Sequence, residues 1–379
     1  MKNSFINIAV LASLSLAPLG ASAQSLTWAS GWPAGGFIPN AVDKAALYIT
    51  ENTDLKVKHF PLSLLSFPET LAGVRDSVAD IGYVLMPYFP AEFSESNMAT
   101  DLTMLATSGA KTDVPGLAMA GALAEYIMLN CPECQDEFSA QNQVYLAGGA
   151  TTEYRVQCDR PVSTVEDMKG LKIRSGAANF GRFAEQLGAV KVSISGGEIY
   201  EAISSNAIDC AMIAIPELTS LQLIEVMKAV TMGAPGGVFA GTGSANINAE
   251  VWANLSPEYR TVFLRASAQL TSDITTGYVA SEIDAMAKAK EAGIEFIEAS
   301  PDLIAFTSAF VQDDLKTIGE QYKTIYDVSD VDQKIELVST LIEKWKGLVG
   351  PDAQGANEYS ELLWEEVYSK IDVNSYGIK

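Results

Sequence analysis

Arg174 is the residue whose setting best suits it to bind a ligand. It ends a short segment, residues 171–174, and a Ser-Gly pair follows it. A planar guanidinium presents a rigid fork of donors, which a carboxylate can meet with two parallel hydrogen bonds. A strand that delivers an arginine into a Ser/Gly loop is therefore suited to capture a carboxylate. The alternative is a structural arginine that pairs with Glu166 or Asp167.

Three segments around Arg174 follow one another in a characteristic order. Residues 168–174 are MKGLKIR, residues 199–203 are IYEAI and residues 206–209 are NAID. In order and spacing they resemble the LKG-LKIR stretch, the VY-AL helix and the A-DG or A-DA strand of the substrate-binding proteins of TRAP transporters, the DctP-like family. The resemblance extends over about residues 26–345.

This resemblance implies both a fold and a role. The expected fold is α/β, of the two-lobed periplasmic binding protein type, with a long helix that spans the lobes. The ligand is expected in the cleft between the lobes, where the arginine of this motif forms a salt bridge with the ligand carboxylate. The closed protein would then deliver its organic-acid ligand to the membrane permease subunits of a TRAP transporter, which an ion gradient drives.

Ten further residues are expected to contribute to the ligand cleft. Tyr154 and Arg155 follow the predicted crossing between the lobes and face opposite sides of a strand, so one of them is expected to reach the ligand. The other eight lie at predicted loops and strand ends: Asn179, Phe180, Met212, Ile213, Trp32, Phe37, Met86 and Phe239. Ordinary core packing is the alternative for each of them.

Met212 and Ile213 bear on the nature of the ligand. In the family a polar or aromatic side chain is common at this step, such as Glu followed by Trp, whereas both residues here are apolar. An apolar wall argues against a sugar acid or a small polyhydroxy ligand. Together with nearby aromatic residues such as Tyr88, it predicts a carboxylate ligand that has a hydrophobic or aromatic body.

Strand-like and helix-like segments alternate along the first two thirds of the chain, which predicts βαβ units and a largely parallel sheet. The pair Gly148-Gly149 is a candidate crossing point between lobes. We expect lobe 1 to comprise residues 24–148 with about residues 238–275. Lobe 2 is expected to comprise about residues 149–237 with part of the C-terminal region.

The C-terminal third is predicted to be helical. Ser256 is a good N-cap with Pro257 at the first helical position, and apolar residues recur after it at helical spacing. One long helix, about residues 256–292, is expected to brace the two lobes. Residues 301–379 are predicted to form amphipathic helices whose apolar side chains pack on the rest of the molecule. In an earlier helix, Arg182 is expected to face solvent.

The N-terminus has the form of a secretory signal peptide. Lys2 precedes an apolar run, residues 5–19, and an Ala-Ser-Ala sequence offers a cleavage site, so residues 1–23 are expected to be removed. A retained membrane anchor is the alternative, but the run is shorter than the roughly twenty residues that span a bilayer. A periplasmic address is therefore expected.

The composition limits the classes of partner. The 379 residues carry a formal charge of −22, which argues against nucleic acid and anionic membranes but not against a small anion in a locally positive pocket. A Ser/His or Cys/His catalytic pair would have to use His59, the single histidine of the sequence. No catalytic set, cofactor or metal site is predicted. The expected state is a monomer or, through the long helix, a homodimer.

Four cysteines allow three disulfide pairings in an oxidising compartment. We expect Cys131–Cys134 and Cys158–Cys210, because the latter two both lie in predicted strands of one lobe. The CxxC spacing of the first pair, set in a predicted polar loop, also matches a thiol oxidoreductase or half of a zinc site. A secreted hydrolase or thiol-redox enzyme therefore remains an alternative function, as does the ligand-sensing subunit of a receptor.

Overall fold

The computed structural model of this chain describes residues 24–378. The predicted signal peptide, residues 1–23, lies outside these described residues. Between residues 24 and 378, no helix is both long and apolar enough to cross a membrane. The described chain forms two β-sheets with helices packed around them.

Strands and helices alternate through most of the described chain. The strands, in chain order, are β1 (Ser25–Ser30), β2 (Lys56–Pro61), β3 (Ile81–Leu85), β4 (Gln143–Tyr145), β5 (Glu153–Cys158), β6 (Lys172–Arg174), β7 (Val190–Val192), β8 (Cys210–Ala214), β9 (Ala229–Val238), β10 (Thr242–Asn248) and β11 (Glu295–Glu298). The helices are α1 (Phe37–Asn52), α2 (Thr70–Arg75), α3 (Ser94–Thr100), α4 (Pro115–Glu125), α5 (Pro132–Ala140), α6 (Val165–Met168), α7 (Ala178–Gln186), α8 (Ile199–Ser204), α9 (Glu217–Ser220), α10 (Ala249–Asn254), α11 (Pro257–Glu291), α12 (Pro301–Thr324), α13 (Val331–Leu348) and α14 (Ala356–Glu366).

The first sheet has the strand order β2-β1-β3-β10-β4. Strands β2, β1 and β3 run parallel to one another, because a helix returns the chain after β1 and again after β2. Strand β10 runs antiparallel to both β3 and β4. Strands that alternate with helices form the βαβ units that the sequence predicted. This sheet and the helices around it form the first lobe.

The second sheet has the strand order β11-β9-β5-β8-β6-β7 and forms the core of the second lobe. Strands β8, β6 and β7 are parallel, whereas β5 runs antiparallel to β8 and β9. Arg174, the last residue of β6, lies beside Ala211 of β8. Because ligands of open α/β sheets bind beyond the carboxyl ends of parallel strands, this register puts Arg174 at the edge where a site is expected.

Two segments cross between the lobes and are joined to each other. Residues 146–152 connect β4 to β5, and residues 239–241 connect β9 to β10. The backbone N–H of Thr151 donates to the carbonyl of Phe239, and the N–H of Phe239 donates to the Thr151 hydroxyl, both at 2.9 Å. A Cβ atom at Gly149 would lie 2.8 Å from a methyl carbon of Ile274, so glycine lets α11 approach the first crossing closely.

Helix α11 is the long helix that was predicted over residues 256–292. On the side of the first lobe, Asp273 of α11 pairs with Lys44 of α1 at 2.8 Å. Toward the second lobe, the Tyr278 hydroxyl donates to the Glu217 carboxyl of α9 at 2.8 Å. The helix therefore contacts both lobes.

The C-terminal helices pack on α4 of the first lobe. Trp345 of α13 is fully buried, and its indole N–H donates to Glu125 at 2.7 Å. The Tyr359 hydroxyl of α14 donates to the carbonyl of Leu117 at 2.6 Å. The apolar residues of this region are thus packing residues, as their spacing indicated.

Both expected disulfides are present. Cys158 and Cys210 lie opposite each other on β5 and β8, and their side chains are joined. Cys131 and Cys134 are also joined, but not in a polar loop as predicted, since Cys131 caps helix α5. The backbone N–H of Cys134 lies 3.1 Å from the Cys131 sulfur.

The expectation that Arg182 faces solvent is wrong. It lies on the side of α7 that packs against α12, and only 9% of it is exposed. Its guanidinium donates to both carboxylate oxygens of Asp314, at 2.7 and 2.8 Å, and to Asp101 at 3.0 Å. Because this side of α7 is covered, the charge of Arg182 needs partners of opposite sign, and the two aspartates supply them.

Candidate functional site

A cavity lies between the two lobes, and residues of both sheets, both crossing segments and α11 line it. The space in it that is open to the centre of a water molecule is about 40 Å³, so the cavity is narrow in this structure. Apolar and aromatic side chains form most of the wall: Trp32, Phe67, Tyr83, Leu85, Tyr88, Tyr154, Ile213, Leu221, Phe239, Ile274 and Tyr278. The remaining polar side chains on the wall are Arg174, Glu217, Thr151 and Thr242.

Arg174 enters this cavity from the end of β6. Only 3% of the residue is exposed. Its Nε donates to the carbonyl of Ile194 and its Nη2 to the hydroxyl of Tyr88, both at 3.1 Å. A Cβ atom at position 176 would lie 3.0 Å from Nη1, so Gly176 leaves space for the guanidinium. The side chain is therefore held in one orientation by groups that carry no charge.

Tyr88 connects the two lobes at the cavity wall. It ends a short 3₁₀ turn after β3 of the first lobe. Its hydroxyl oxygen accepts hydrogen bonds from Arg174 at 3.1 Å and from the backbone N–H of Gly196 at 2.8 Å, and both donors belong to the second lobe. Because a hydroxyl has two acceptor lone pairs and one donor, its own hydrogen remains available to donate.

Tyr154 belongs to an aromatic stack beside Arg174. Its ring stacks on Phe180, with centroids 4.6 Å apart, and lies parallel to Phe239 at 6.0 Å. Burial raises the pKa of the Tyr154 hydroxyl well above its usual value, while the nearby Arg174 opposes this shift. The hydroxyl therefore stays protonated and can donate a hydrogen bond in the cavity.

Glu217 is the second ionisable group on the cavity wall. One carboxyl oxygen, Oε1, accepts the 2.8 Å hydrogen bond from Tyr278, whereas Oε2 is buried and has no hydrogen-bond partner in residues 24–378. Burial raises the pKa of this carboxyl from 4.5 to about 7, and the hydrogen bond from Tyr278 and the charge of Arg174 partly oppose that rise. Near neutral pH the Glu217 carboxyl is thus present in both protonation states.

The family of this chain follows from its sequence match. Residues 46–321 match the sequence model of DctP, described as bacterial extracellular solute-binding protein, family 7. The chain belongs to this family. The DctP family consists of solute-binding receptors, which agrees with a two-lobed fold that has a cavity between its lobes.

Two relatives are similar to part of this DctP-family chain. A solute-binding protein of Albidiferax ferrireducens is 27% identical over 161 residues, which cover 42% of this chain and 46% of that protein. The match therefore spans about half the length of that relative. A sialic acid-binding periplasmic protein of Vibrio cholerae is 26% identical over 152 residues, 40% of this chain and 46% of that protein.

Solved TRAP solute-binding proteins share the fold. One from an unidentified marine microbe, specific for aromatic acids and bound to metahydroxyphenylacetate, superposes with a TM-score of 0.73 at 21% identity and covers 85% of this chain and 99% of that one. One from Rhodoferax ferrireducens with copurified benzoate has a TM-score of 0.74 at 17% identity and covers 86% and 99%. The predicted α/β, two-lobed fold is confirmed.

Five of the residues expected in the ligand cleft line the cavity of this DctP-family protein: Arg174, Tyr154, Ile213, Trp32 and Phe239. They come from β6, β5, β8, the loop after β1 and the second crossing segment, so the fold assembles them from distant parts of the chain. That each of them contacts a ligand stays a prediction.

Two expected residues on the central strands do not line the cavity. Met212 lies on the opposite face of β8 from Ile213, since side chains alternate along a strand, and it is fully buried. The guanidinium of Arg155 pairs with Glu153. Of the adjacent pair Tyr154 and Arg155, the tyrosine is the one on the cavity wall.

Four more expected residues lie behind the wall. Phe180 supports Tyr154, and Phe37 packs edge-on against Tyr278 with ring centroids 4.8 Å apart. The Asn179 amide is turned away to donate to Thr103 at 2.9 Å. Met86 is fully buried in the core of the first lobe. Phe180, Asn179 and Met86 are buried and Phe37 is half-buried, but their residue types did not indicate which layer they occupy.

Sequence reasoning missed Glu217, Tyr278, Phe67 and Tyr83 as wall residues. A signal for Glu217 was present, because it follows a buried strand, β8, by three residues. The carboxyl end of such a strand is where α/β proteins commonly place ligand groups. Tyr278 lies 61 residues further along, in the middle of α11, and nothing local marks it as a partner of Glu217.

A Ser-His-Asp arrangement occurs in the first lobe, away from the cavity. His59 Nε2 lies 2.8 Å from the Ser30 hydroxyl, and His59 Nδ1 lies 2.9 Å from Asp43. Ser30 is fully buried and does not line the cavity, so no substrate carbonyl can reach its hydroxyl. We interpret these three residues as a structural link among β1, β2 and α1.

Proposed function

We propose that this protein captures an organic acid with an aromatic or apolar body in the periplasm and delivers it to the membrane permease of a TRAP transporter. The observation that carries this proposal is the buried guanidinium of Arg174 on the wall of a largely aromatic cavity between two lobes. Membership of the extracellular solute-binding family supports the role.

The charge of Arg174 supports a carboxylate as the ligand group. Its hydrogen-bond partners include the carbonyl of Ile194 and the hydroxyls of Tyr88 and Tyr154, which are neutral. A buried cation is most stable when an anion with matching geometry balances it. A ligand carboxylate would provide that balance, and the hydroxyls of Tyr88 and Tyr154 can donate to the same carboxylate.

The wall of the cavity supports a ring or another apolar body. Trp32 contacts Phe67 edge-on at 5.1 Å and Tyr83 at 6.2 Å, which gives a rigid aromatic surface. Aliphatic side chains from β8 and α11, Ile213 and Ile274, also line the cavity. Solved proteins of the same fold bind metahydroxyphenylacetate and benzoate, and we extend that ligand class to this chain.

Closure of the lobes around the ligand follows from where its contacts lie. A groove of about 520 Å³ on the solvent side shares Phe67, Gly196 and Leu221 with the cavity, so these residues lie between the cavity and solvent. A ligand that touches both lobes favours the closed form, because it binds that form more tightly than the open one. The closed form is the one we expect the permease to recognise.

The test is ligand binding by an Arg174→Ala variant. Isothermal titration with benzoate, phenylacetate and their ring-hydroxylated forms should show micromolar or tighter binding by the wild type to at least one acid. Loss of the charge partner should weaken that binding by about 30-fold or more, since truncating one side of a buried ion pair costs about 2–5 kcal/mol.

Arg155→Ala is the matched control, because Arg155 is a neighbouring arginine whose guanidinium pairs with Glu153 and does not line the cavity. It should keep the affinity of the wild type. Equal binding of one acid by the wild type and by Arg174→Ala would contradict the proposal, as would equal binding of the acid and its uncharged amide.

A further inference from the structure

Glu217 places a buried carboxyl group on the wall of the cavity. Glu217 is 3% exposed, and its Oε2 atom is buried without a hydrogen-bond partner in residues 24–378. Buried polar oxygens are almost always hydrogen-bonded in folded proteins, so an exception on the wall of a ligand cavity points to a group that arrives from outside. Oε1 is already used by Tyr278.

The position of this carboxyl is fixed from two sides. Glu217 begins α9 in the second lobe, and Tyr278 comes from α11. Phe37 of the first lobe packs edge-on against the Tyr278 ring at 4.8 Å, and a Cβ atom at Gly277 would lie 2.7 Å from the Phe37 ring. Because Tyr278 is held in this way, Oε2 is preorganised to meet a ligand atom.

The charges that face Glu217 are few. Arg174 attracts the ionised carboxylate, Glu282 of α11 repels it, and Tyr278 donates to it. Burial shifts its pKa to about 7, so the neutral and ionised forms coexist at neutral pH. Oε2 then acts as a donor when protonated and as an acceptor when ionised.

A hydroxyl is the ligand group that satisfies both forms. It accepts from the protonated carboxyl and donates to the ionised one, whereas an N–H serves only the ionised form and a carbonyl only the protonated form. A second ligand carboxylate would place one more negative charge beside Glu217 in a cavity whose one guanidinium is already used by the first carboxylate.

We propose that Glu217 is a specificity-determining residue that selects hydroxyl-bearing monocarboxylates over acids without a hydroxyl and over dicarboxylates. The proposal rests on the function inferred above, in which Arg174 binds the first carboxylate. Glu217 binds the ligand hydroxyl at a second point on the cavity wall, and the aromatic residues between hold the ring.

The experiment compares matched acids with the wild type and two variants. The acids are benzoate and phenylacetate, their ring-hydroxylated isomers, and benzene-1,3-dicarboxylate, and the measurement is isothermal titration. For the wild type, the best hydroxylated isomer should bind at least about tenfold more tightly than its parent acid, because a hydrogen bond to a charged or ionisable buried group has about this effect. The dicarboxylate should bind more weakly than the parent acid.

Glu217→Leu removes both oxygens and should bring the ratio of the two affinities, hydroxylated to parent, close to one. Glu217→Gln keeps the shape and the hydrogen bond to Tyr278 but not the charge, so it should keep a preference for the hydroxyl and bind the dicarboxylate more tightly than the wild type does. Circular dichroism and thermal unfolding check that both variants are folded. If Glu217→Leu does not fold, the affinity of Glu217→Gln for the dicarboxylate tests the proposal. An affinity no higher than that of the wild type would overturn the role of Glu217.

The outcomes separate the two proposals. Wild-type binding that depends on Arg174 but is equal for hydroxylated and parent acids overturns the role of Glu217 alone. A preference for the hydroxyl that survives in Glu217→Leu has the same consequence. Absence of binding to every acid, or binding that Arg174→Ala retains, overturns the proposed function and the role of Glu217 with it.

Discussion

Two buried ionisable side chains, Arg174 and Glu217, line the cavity, and their surroundings differ. The Arg174 guanidinium donates hydrogen bonds to a carbonyl oxygen and to the Tyr88 hydroxyl. The Glu217 carboxyl accepts a hydrogen bond from Tyr278, and its burial favours the neutral form. At slightly acid pH Glu217 is mostly neutral, so the guanidinium of Arg174 is the main charge on the cavity wall and favours entry of an anion.

The raised pKa of Glu217 predicts how stability depends on pH. In the unfolded chain the carboxyl ionises near 4.5, and in the folded protein it ionises near about 7. Between these values the folded state binds more protons, so the free energy of unfolding falls as pH rises through this window, by on the order of 3 kcal/mol for this residue. We expect the ligand-free wild type to melt at a higher temperature at pH 5 than at pH 7.5.

Glu217→Gln isolates this contribution, because its amide does not titrate. Burial also raises the pKa of Glu137 to about 7, so the variant should retain some pH dependence from that carboxyl. Thermal unfolding followed by circular dichroism should show a smaller change between pH 5 and pH 7.5 in the variant than in the wild type. The same change in both proteins would mean that Glu217 does not titrate in this range.

At the scale of elements, the buried charges of Arg182, Asp314 and Asp101 tie α7 to α12 and to the end of α3. Arg182 forms a two-pronged pair with Asp314 of α12, and its Nη1 also donates to Gln321 at 3.1 Å. Asp101, the C-cap of α3 in the first lobe, completes the group. This cluster fixes where the second lobe's helix α7, which follows Arg174, sits against the C-terminal helices.

Removing this arginine should be costly. Arg182→Ala leaves two buried carboxylates without their cation, and we expect a loss of about 3–5 kcal/mol in the free energy of unfolding, measured by urea denaturation. Arg160→Ala is the control, since Arg160 pairs with Asp159 and Asp209 at the surface with half of its side chain exposed, and such pairs contribute about 0–1 kcal/mol. Similar losses in the two variants would contradict the structural role of the buried cluster.

At the scale of the whole molecule, the Tyr88 hydroxyl links closure to the ligand site. Its two accepted hydrogen bonds join the first lobe to Arg174 and Gly196 of the second lobe. The same guanidinium is the proposed carboxylate anchor, so a ligand that orders Arg174 also strengthens the contact between lobes. We therefore expect binding and closure to be coupled through this side chain.

Tyr88→Phe tests this coupling, because it removes the hydroxyl and keeps the ring. We expect a larger radius of gyration in small-angle X-ray scattering of the ligand-free variant, and about tenfold weaker binding of the best acid, since hydrogen bonds to charged groups contribute about 1.5–3 kcal/mol. Tyr200→Phe is the control, as the Tyr200 hydroxyl bonds Glu225 within the second lobe. Scattering and affinity that match this control would exclude Tyr88 as a link between the lobes.

Local rules predicted much of the fold. Ser256 caps α11 by accepting a hydrogen bond from Tyr259 N at 3.2 Å, and Pro257 begins the helix, as their types indicated. Arg174 was correctly predicted to end a strand. These features depend on neighbours in sequence, which a single chain displays directly.

Residue type only partly distinguished the residues on the cavity wall from those that lie behind it. Trp32 and Phe239 lie on the wall, whereas Phe180 and Phe37 lie one layer behind it, although all four are aromatic residues next to glycine or at a strand or helix end. Whether a side chain is buried follows from its residue type and from the periodicity of apolar residues around it. The layer that a buried ring occupies depends on how two lobes are placed against each other.

The sequence by itself determined the family, the alternation of strands with helices, and the arginine at the end of β6, because each is encoded in residues that are close along the chain. Only the tertiary structure decided that Glu217 meets Tyr278, that Arg182 is buried between two aspartates, and that Tyr88 bridges the lobes. These contacts join residues 61, 132 and 86 positions apart. These contacts form when sheets and helices pack against one another. No pattern among neighbouring residues in the sequence marks them.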